Sequence, residues 1–179
     1  GNHEVAMLWA LRDPQRIGFW MSIGGQAHDL EELKKDGALQ AWLHARPAMI
    51  RLEDGTLVQH CGHDGYARWL DSNEEGTAAA QAINRRVHDL LIDGNEAEVW
   101  DVLSAKNVFE QQPLRLEHWL QATNSRRVVF GHTPHKSHRP ESHHNGRAIN
   151  FDGALSRRHR KHSRNSPVGA SVAPLEVLS

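Results

Sequence analysis

Val128-Val129-Phe130-Gly131-His132-Thr133-Pro134-His135 is a short apolar run that closes on Gly-His-Thr-Pro. An apolar run of this length bounded by turn residues reads as a buried strand, here Arg127 to Phe130, which delivers His132 at its C-terminal tip. In an α/β sheet, that end of a strand is where ligand and metal sites form. Upstream, Pro113 to Ala122 reads as a helix with proline near its start. Downstream, Lys136 to Asn145 is polar and irregular, and Asn145-Gly146 turns the chain into a further strand, Arg147 to Phe151.

The same reading extends toward both ends. Glu4 to Arg12 is a short helix after Asn2, and Ile17 to Gln26, with three glycines, is a loop anchored by Phe19 and Trp20. Asp29 to Arg46 is a helix broken or kinked near Asp36-Gly37, with Leu30, Leu33, Leu39 and Trp42 as its apolar positions. Ala48 to Glu53 and Thr56 to Cys61 flank Asp54-Gly55, a strong hairpin signal. Gly65 to Leu70 is a helical turn. Thr77 to Ile92 is a helix whose stripe is Ile83, Val87 and Leu90-Leu91, ended by Asp93-Gly94, and Glu96 to Ala105 is another. Arg157 to Arg164 is a basic run, and Val172 to Leu178 a last strand interrupted by Pro174. Helices mixed with strands, including a hairpin, argue for an α+β or mixed α/β fold rather than a purely parallel sheet.

The 179 residues suit one domain. A formal charge of -1 gives the whole chain no electrostatic pull toward nucleic acid or membrane. One cysteine, Cys61, excludes an intrachain disulfide and fits a reducing, cytoplasmic compartment. No stretch approaches the apolar length of a membrane span. Histidine is the compositional outlier, at 14 residues.

Three segments place a metal-competent side chain at a turn or strand end: Gly1-Asn2-His3-Glu4, Gln59-His60-Cys61-Gly62-His63-Asp64 and Gly131-His132-Thr133. Neutral imidazole suits transition metals, and an amide oxygen completes a borderline site. A hydrolytic metal site needs such ligands and an open position for water. Glycine beside each histidine is expected to let substrate approach the backbone closely. Each segment alone reads more readily as ordinary structure, since a single histidine at a strand end is more often a satisfied polar residue than a ligand. Gly-Asn-His-Glu is also a helix start with Asn2 as N-cap, and the joint occurrence is what favours a metal site.

With these motifs the chain resembles the C-terminal portion of a calcineurin-like metallophosphoesterase. Within that superfamily it resembles the bacterial phosphoprotein-phosphatase and symmetrical diadenosine-tetraphosphatase branch. Gly1-Asn2-His3-Glu4, His60-Cys61-Gly62 and Gly131-His132-Thr133-Pro134 match its motifs, Trp20 to Gly25 resembles its Trp-Gly-Gly segment, and Asn150 to Arg157 its closing strand. The resemblance runs over residues 1–157, a partial domain, and leaves 158–179 as a basic C-terminal segment. It implies a four-layer αββα sandwich and hydrolysis of phosphomonoester or nucleoside polyphosphate bonds by a metal-activated water. It implies two divalent ions, Mn, Fe or Zn with Mn first. Asn2, His60 and His132 would hold one of them, and His3 would sit beside the leaving-group oxygen as general acid or electrostatic stabiliser. Arg115, after Pro113-Leu114, corresponds to a substrate-binding arginine. The substrates implied are a phosphoprotein or a dinucleoside polyphosphate.

The chain departs from the family pattern in one major way. The motifs Gly-Asp-x-His-Gly and Gly-Asp-x-x-Asp-Arg-Gly, expected upstream of Gly1, are not in the sequence. They would supply the second ion's ligands, the bridging aspartate and a phosphate-binding arginine. The expectation is therefore a fragment, an interrupted reading frame or a split protein, whose 179 residues alone are inactive. The alternative is a non-catalytic fragment or pseudoenzyme that binds a phosphorylated or nucleic-acid partner through its basic C-terminal run. Among the remaining residues, His63 is expected at the surface, His135 lies one position too far from His132 for a second family ligand, and Cys61 is a small buried neighbour rather than a nucleophile.

Overall fold

The computed structural model describes residues 1–71, 73–135 and 139–153. The basic run, the last expected strand and the end of the closing motif lie outside the described residues. The chain begins with helix α1 (Asn2–Arg12), then short helices α2 (Ile17–Ser22), α3 (Ala27–Lys35) and α4 (Gly37–His44). Strands β1 (Met49–Arg51) and β2 (Thr56–Cys61) follow. A 3-10 turn (Gly65–Trp69) leads to helices α5 (Gly76–Ile92), α6 (Glu96–Leu103) and α7 (Pro113–Ala122), and strands β3 (Arg127–Gly131), β4 (Glu141–His143) and β5 (Ala148–Asn150) complete the described fold.

The strands form one five-stranded sheet in the order β1-β2-β3-β5-β4. The pairs β2–β3 and β3–β5 are parallel, while the edge strands β1 and β4 are antiparallel to their neighbours. The fold is therefore mixed α/β. Parallel pairing of β2 with β3 requires a long crossover, which α5, α6 and α7 supply. The expected hairpin forms. Asp54 Oδ1 accepts from Thr56 N at 2.9 Å, its Oδ2 accepts from the Thr56 hydroxyl at 2.9 Å, and Gly55 takes the left-handed conformation at φ 81.

Alternation along the strands gives the sheet two unlike faces. Met49, Leu57, Cys61, Val128, Phe130 and Ala148 point into the main core with Tyr66, Ile83, Val99, Phe109, Leu116 and Trp119. The opposite row, Ile50, Val58, Val129 and Ile149, is in register across four strands. It is less covered: Ile50 is 48% exposed and the other three are intermediate. The described residues thus form one sheet with its main core on one face, and the four-layer arrangement is not among them.

Three sequence expectations need correction. Ile17 to Gln26 is not all loop: Ile17–Ser22 is helical. Phe19 packs edge-on to Trp100 with ring centroids 4.9 Å apart, and Trp20 is buried in a second cluster with Ala6, Ala10 and Leu30, so tertiary burial overrides the glycine penalty. The segment from Asp29 breaks at Asp36-Gly37 as expected, where Asp36 caps α4 by accepting from Leu39 N at 2.9 Å. Leu30 and Leu33 are buried as expected, but Leu39 and Trp42 are 42% and 51% exposed. Finally, the polar stretch before Asn145 contains β4, an edge strand whose lack of apolar alternation hides it from periodicity.

Candidate metal centre

β2 and β3 lie side by side and end together, so their terminal histidines meet. The pairing is irregular between Val58 and Cys61, where a bulge interrupts the ladder beside His60. His132 follows the last residue of β3 in the left-handed conformation, at φ 69. A non-glycine residue there carries strain of order 1 kcal/mol and needs surrounding contacts to hold it. Helix α1 starts against the same point and brings Asn2, which is buried.

The geometry brings the three expected ligands together. His60 Nε2 lies 2.8 Å from Asn2 Oδ1 and 3.2 Å from His132 Nδ1. The Asn2 backbone N–H donates to His60 Nε2 at 3.3 Å, so this nitrogen presents a lone pair. His132 Nε2 lies 3.1 Å from the Ser104 carbonyl, which only accepts; its proton sits there and Nδ1 is bare. One nitrogen of each imidazole and the Asn2 amide oxygen therefore converge within hydrogen-bonding distance of His60 Nε2. The donor set fits a borderline divalent ion.

Burial is the main reason that His60 titrates low, at about 3, reinforced by His132. Burial also lowers His132, against the opposing influence of Ser104 and Asp152. Both imidazoles are thus kept in the neutral form that binds metal. Among the described residues no group of three or more His, Cys, Asp or Glu is placed to hold an ion; the third donor here is an amide.

The other sequence-selected residues fall as follows. His3 is exposed on α1, adjacent to Asn2, and its charge acts on both His60 and His132. Arg115 is not among the converging groups: it is held in an ion pair by Asp64, with Nε 3.0 Å from Oδ2. His63 is not at the surface. It is buried, its Nε2 donates to Val102 O at 2.6 Å, and its Nδ1 accepts from Gly65 N at 2.7 Å, a structural role. His135 is also buried, with Nδ1 3.8 Å from Glu141 Oε1. Burial pushes the Cys61 thiol up to about 12, and its Sγ donates to Val102 O, so it is no nucleophile. Two of the motif glycines, Gly1 and Gly62, lie against the protein's own rings. A Cβ at Gly1 would lie 2.5 Å from the His60 ring, and one at Gly62 2.5 Å from the Phe130 ring.

Sequence reading did not single out the residues that hold these strand ends. Gln59 is buried; its Nε2 donates to Cys61 O and His63 O at 2.7 and 2.9 Å, and its Oε1 accepts from Trp119 Nε1 at 2.8 Å. Ser104, Asn107, Glu110 and Asn150 form a polar strap across the ends of β2, β3 and β5. Only the alternation of β2, which puts Gln59 on its buried face, was a usable signal. No protein family, curated protein or solved structure matches this chain.

Proposed function

We propose that this chain carries a metal site of a phosphoesterase that hydrolyses phosphomonoester or nucleoside polyphosphate bonds, with a phosphoprotein or dinucleoside polyphosphate as substrate. The observation that carries the reading is the meeting of Asn2 Oδ1, His60 Nε2 and His132 Nδ1, with His60 Nε2 2.8 and 3.2 Å from the other two. A divalent ion, when bound, polarises a phosphoryl oxygen and lowers the pKa of water. Asn2, His60 and His132 would hold it, with the Ser104 carbonyl fixing the His132 tautomer. His3, exposed one position from Asn2, would donate a proton to the leaving oxygen or stabilise its charge. A second ion needs a bridging carboxylate, and the three converging groups include none. Asp64 is paired with Arg115.

The test separates binding from turnover. Residues 1–179 are expected to bind Mn²⁺ and to leave p-nitrophenyl phosphate intact. The same residues joined upstream to the two Asp motifs are expected to hydrolyse it. In the active form His60→Ala and His132→Ala should lose both metal and activity, whereas His3→Ala should lose kcat and keep its metal. Comparable turnover by residues 1–179 alone would mean that one of their own acids completes the site. Metal loss in His3→Ala would make His3 a ligand.

A further inference from the structure

The two histidine-bearing strand ends are not held together by the sheet ladder where it matters. The pairing of β2 with β3 is regular from Thr56 to Val58, breaks, and resumes only at Cys61 opposite Gly131. His60 lies within the break and His132 lies just beyond the last pair. The offset between the two imidazoles must therefore be set by something other than backbone pairing.

The loop between α6 and α7 supplies it. The Gly62 carbonyl accepts from Val108 N and Phe109 N at 2.7 and 3.0 Å. The Gly62 N–H donates to Asn107 Oδ1 at 2.7 Å. The other end of the same amide, Asn107 Nδ2, donates to Gly131 O at 3.3 Å. One side chain thus ties the residue two after His60 to the residue immediately before His132. Its orientation is fixed by chemistry, since Gly62 offers a proton while Gly131 offers only an acceptor. Asn107 Nδ2 also lies 3.4 Å from Glu110 Oε1, which accepts from Asn150 Nδ2 at 2.9 Å. Asn150 Nδ2 in turn reaches Thr133 O at 3.0 Å, so the residue after His132 is held by the same strap. The strap clamps the His132 backbone, at φ 69, from both sides.

We infer that Asn107 is a positioning residue, which sets the separation of His60 and His132 by bridging Gly62 N–H and Gly131 C=O. The inference rests on the metal-site reading for its functional meaning, but its structural content stands without metal. Aspartate at position 107 would keep the bond from Gly62. It would also turn an acceptor toward Gly131 O and Glu110, so the bridge should break on one side only. Outer-shell partners of this kind are typically worth about 10- to 100-fold in metal affinity.

The experiment compares the full 179-residue chain with Asn107→Asp, Asn107→Ala and Leu30→Ala. Leu30 is buried in the second cluster, so its truncation lowers stability away from the strand ends. Two signals are read: the imidazole ¹⁵N shifts of His60 and His132 in metal-free protein, and Co²⁺ affinity with its visible d–d bands. Both Asn107 variants are expected to shift the His132 ring signals, to weaken Co²⁺ binding by about 10- to 100-fold and to alter the bands. Leu30→Ala should leave the ring signals and bands unchanged despite a lower Tm. The inference is overturned if the Asn107 variants leave the metal-free ring signals as in wild type, or if Leu30→Ala moves them equally. If wild type binds no Co²⁺ while the Asn107 variants still move the ring signals, the metal-site reading fails and the positioning role stands.

Discussion

At the scale of single residues, the site is defined by two neutral imidazoles. Burial keeps His60 and His132 uncharged, and His60 Nε2 lies 3.2 Å from His132 Nδ1. This has a consequence for stability. The His60 imidazole titrates at about 3 in the folded chain, below its ordinary value of 6.5, so folding disfavours its protonated form. The corresponding stability is fully present above pH 6.5 and is lost as the pH falls toward 3. In that window each such histidine costs about 1.4 kcal/mol per pH unit. Metal-free chain should therefore lose stability steeply between pH 6 and pH 4 in urea titrations, and His60→Gln should flatten the slope. Equal slopes for the two proteins would show that His60 is not held neutral. At this scale the triad was legible in the sequence, because His and Asn at strand and helix ends carry their chemistry in their identity. Asn107 was not, because an isolated asparagine in a loop shows its role only through the two backbone groups it reaches.

At the scale of elements, glycine separates positions that fold needs from positions it tolerates. A methyl at Gly62 would meet the Phe130 ring at 2.5 Å, in a peptide already gripped by the α6–α7 loop, while a methyl at Gly18 in α2 meets nothing within 4 Å. Gly62→Ala should therefore cost about 1–3 kcal/mol through overpacking. Gly18→Ala should be neutral or stabilising by up to about 1 kcal/mol, since alanine favours helix. Chemical denaturation of the two variants checks the contrast, and a neutral Gly62→Ala would contradict the close approach. The elements that sequence reading recovered are those with local signals: the Asp54-Gly55 hairpin, the apolar stripe of α5, the proline that opens α7, the apolar run of β3. Those it missed are decided by distant partners. α2 is helical because Phe19 and Trp20 find Trp100 and the second cluster, and β4 is a strand because β5 pairs with it.

At the scale of the whole molecule, the sheet's less covered face carries the apolar row Ile50, Val58, Val129 and Ile149. No described helix is long and apolar enough to cross a membrane. Apolar surface of this kind favours association. Ile50→Lys, on an exposed edge-strand position, is expected to raise solubility while shifting Tm little, and light scattering with thermal melts checks it. A large loss of Tm would mean that Ile50 is more deeply packed than its exposure indicates. His60 alternates onto this same face, so the row and the candidate metal centre share one side of the sheet. The measurement that tests the central claim most directly is anomalous diffraction from crystals of the chain grown with Zn²⁺ or Co²⁺. The expected result is a metal peak about 2.0–2.2 Å from His60 Nε2, His132 Nδ1 and Asn2 Oδ1 together, absent in His132→Ala. No peak at that point in wild type, or a peak that survives loss of His132, would contradict the account.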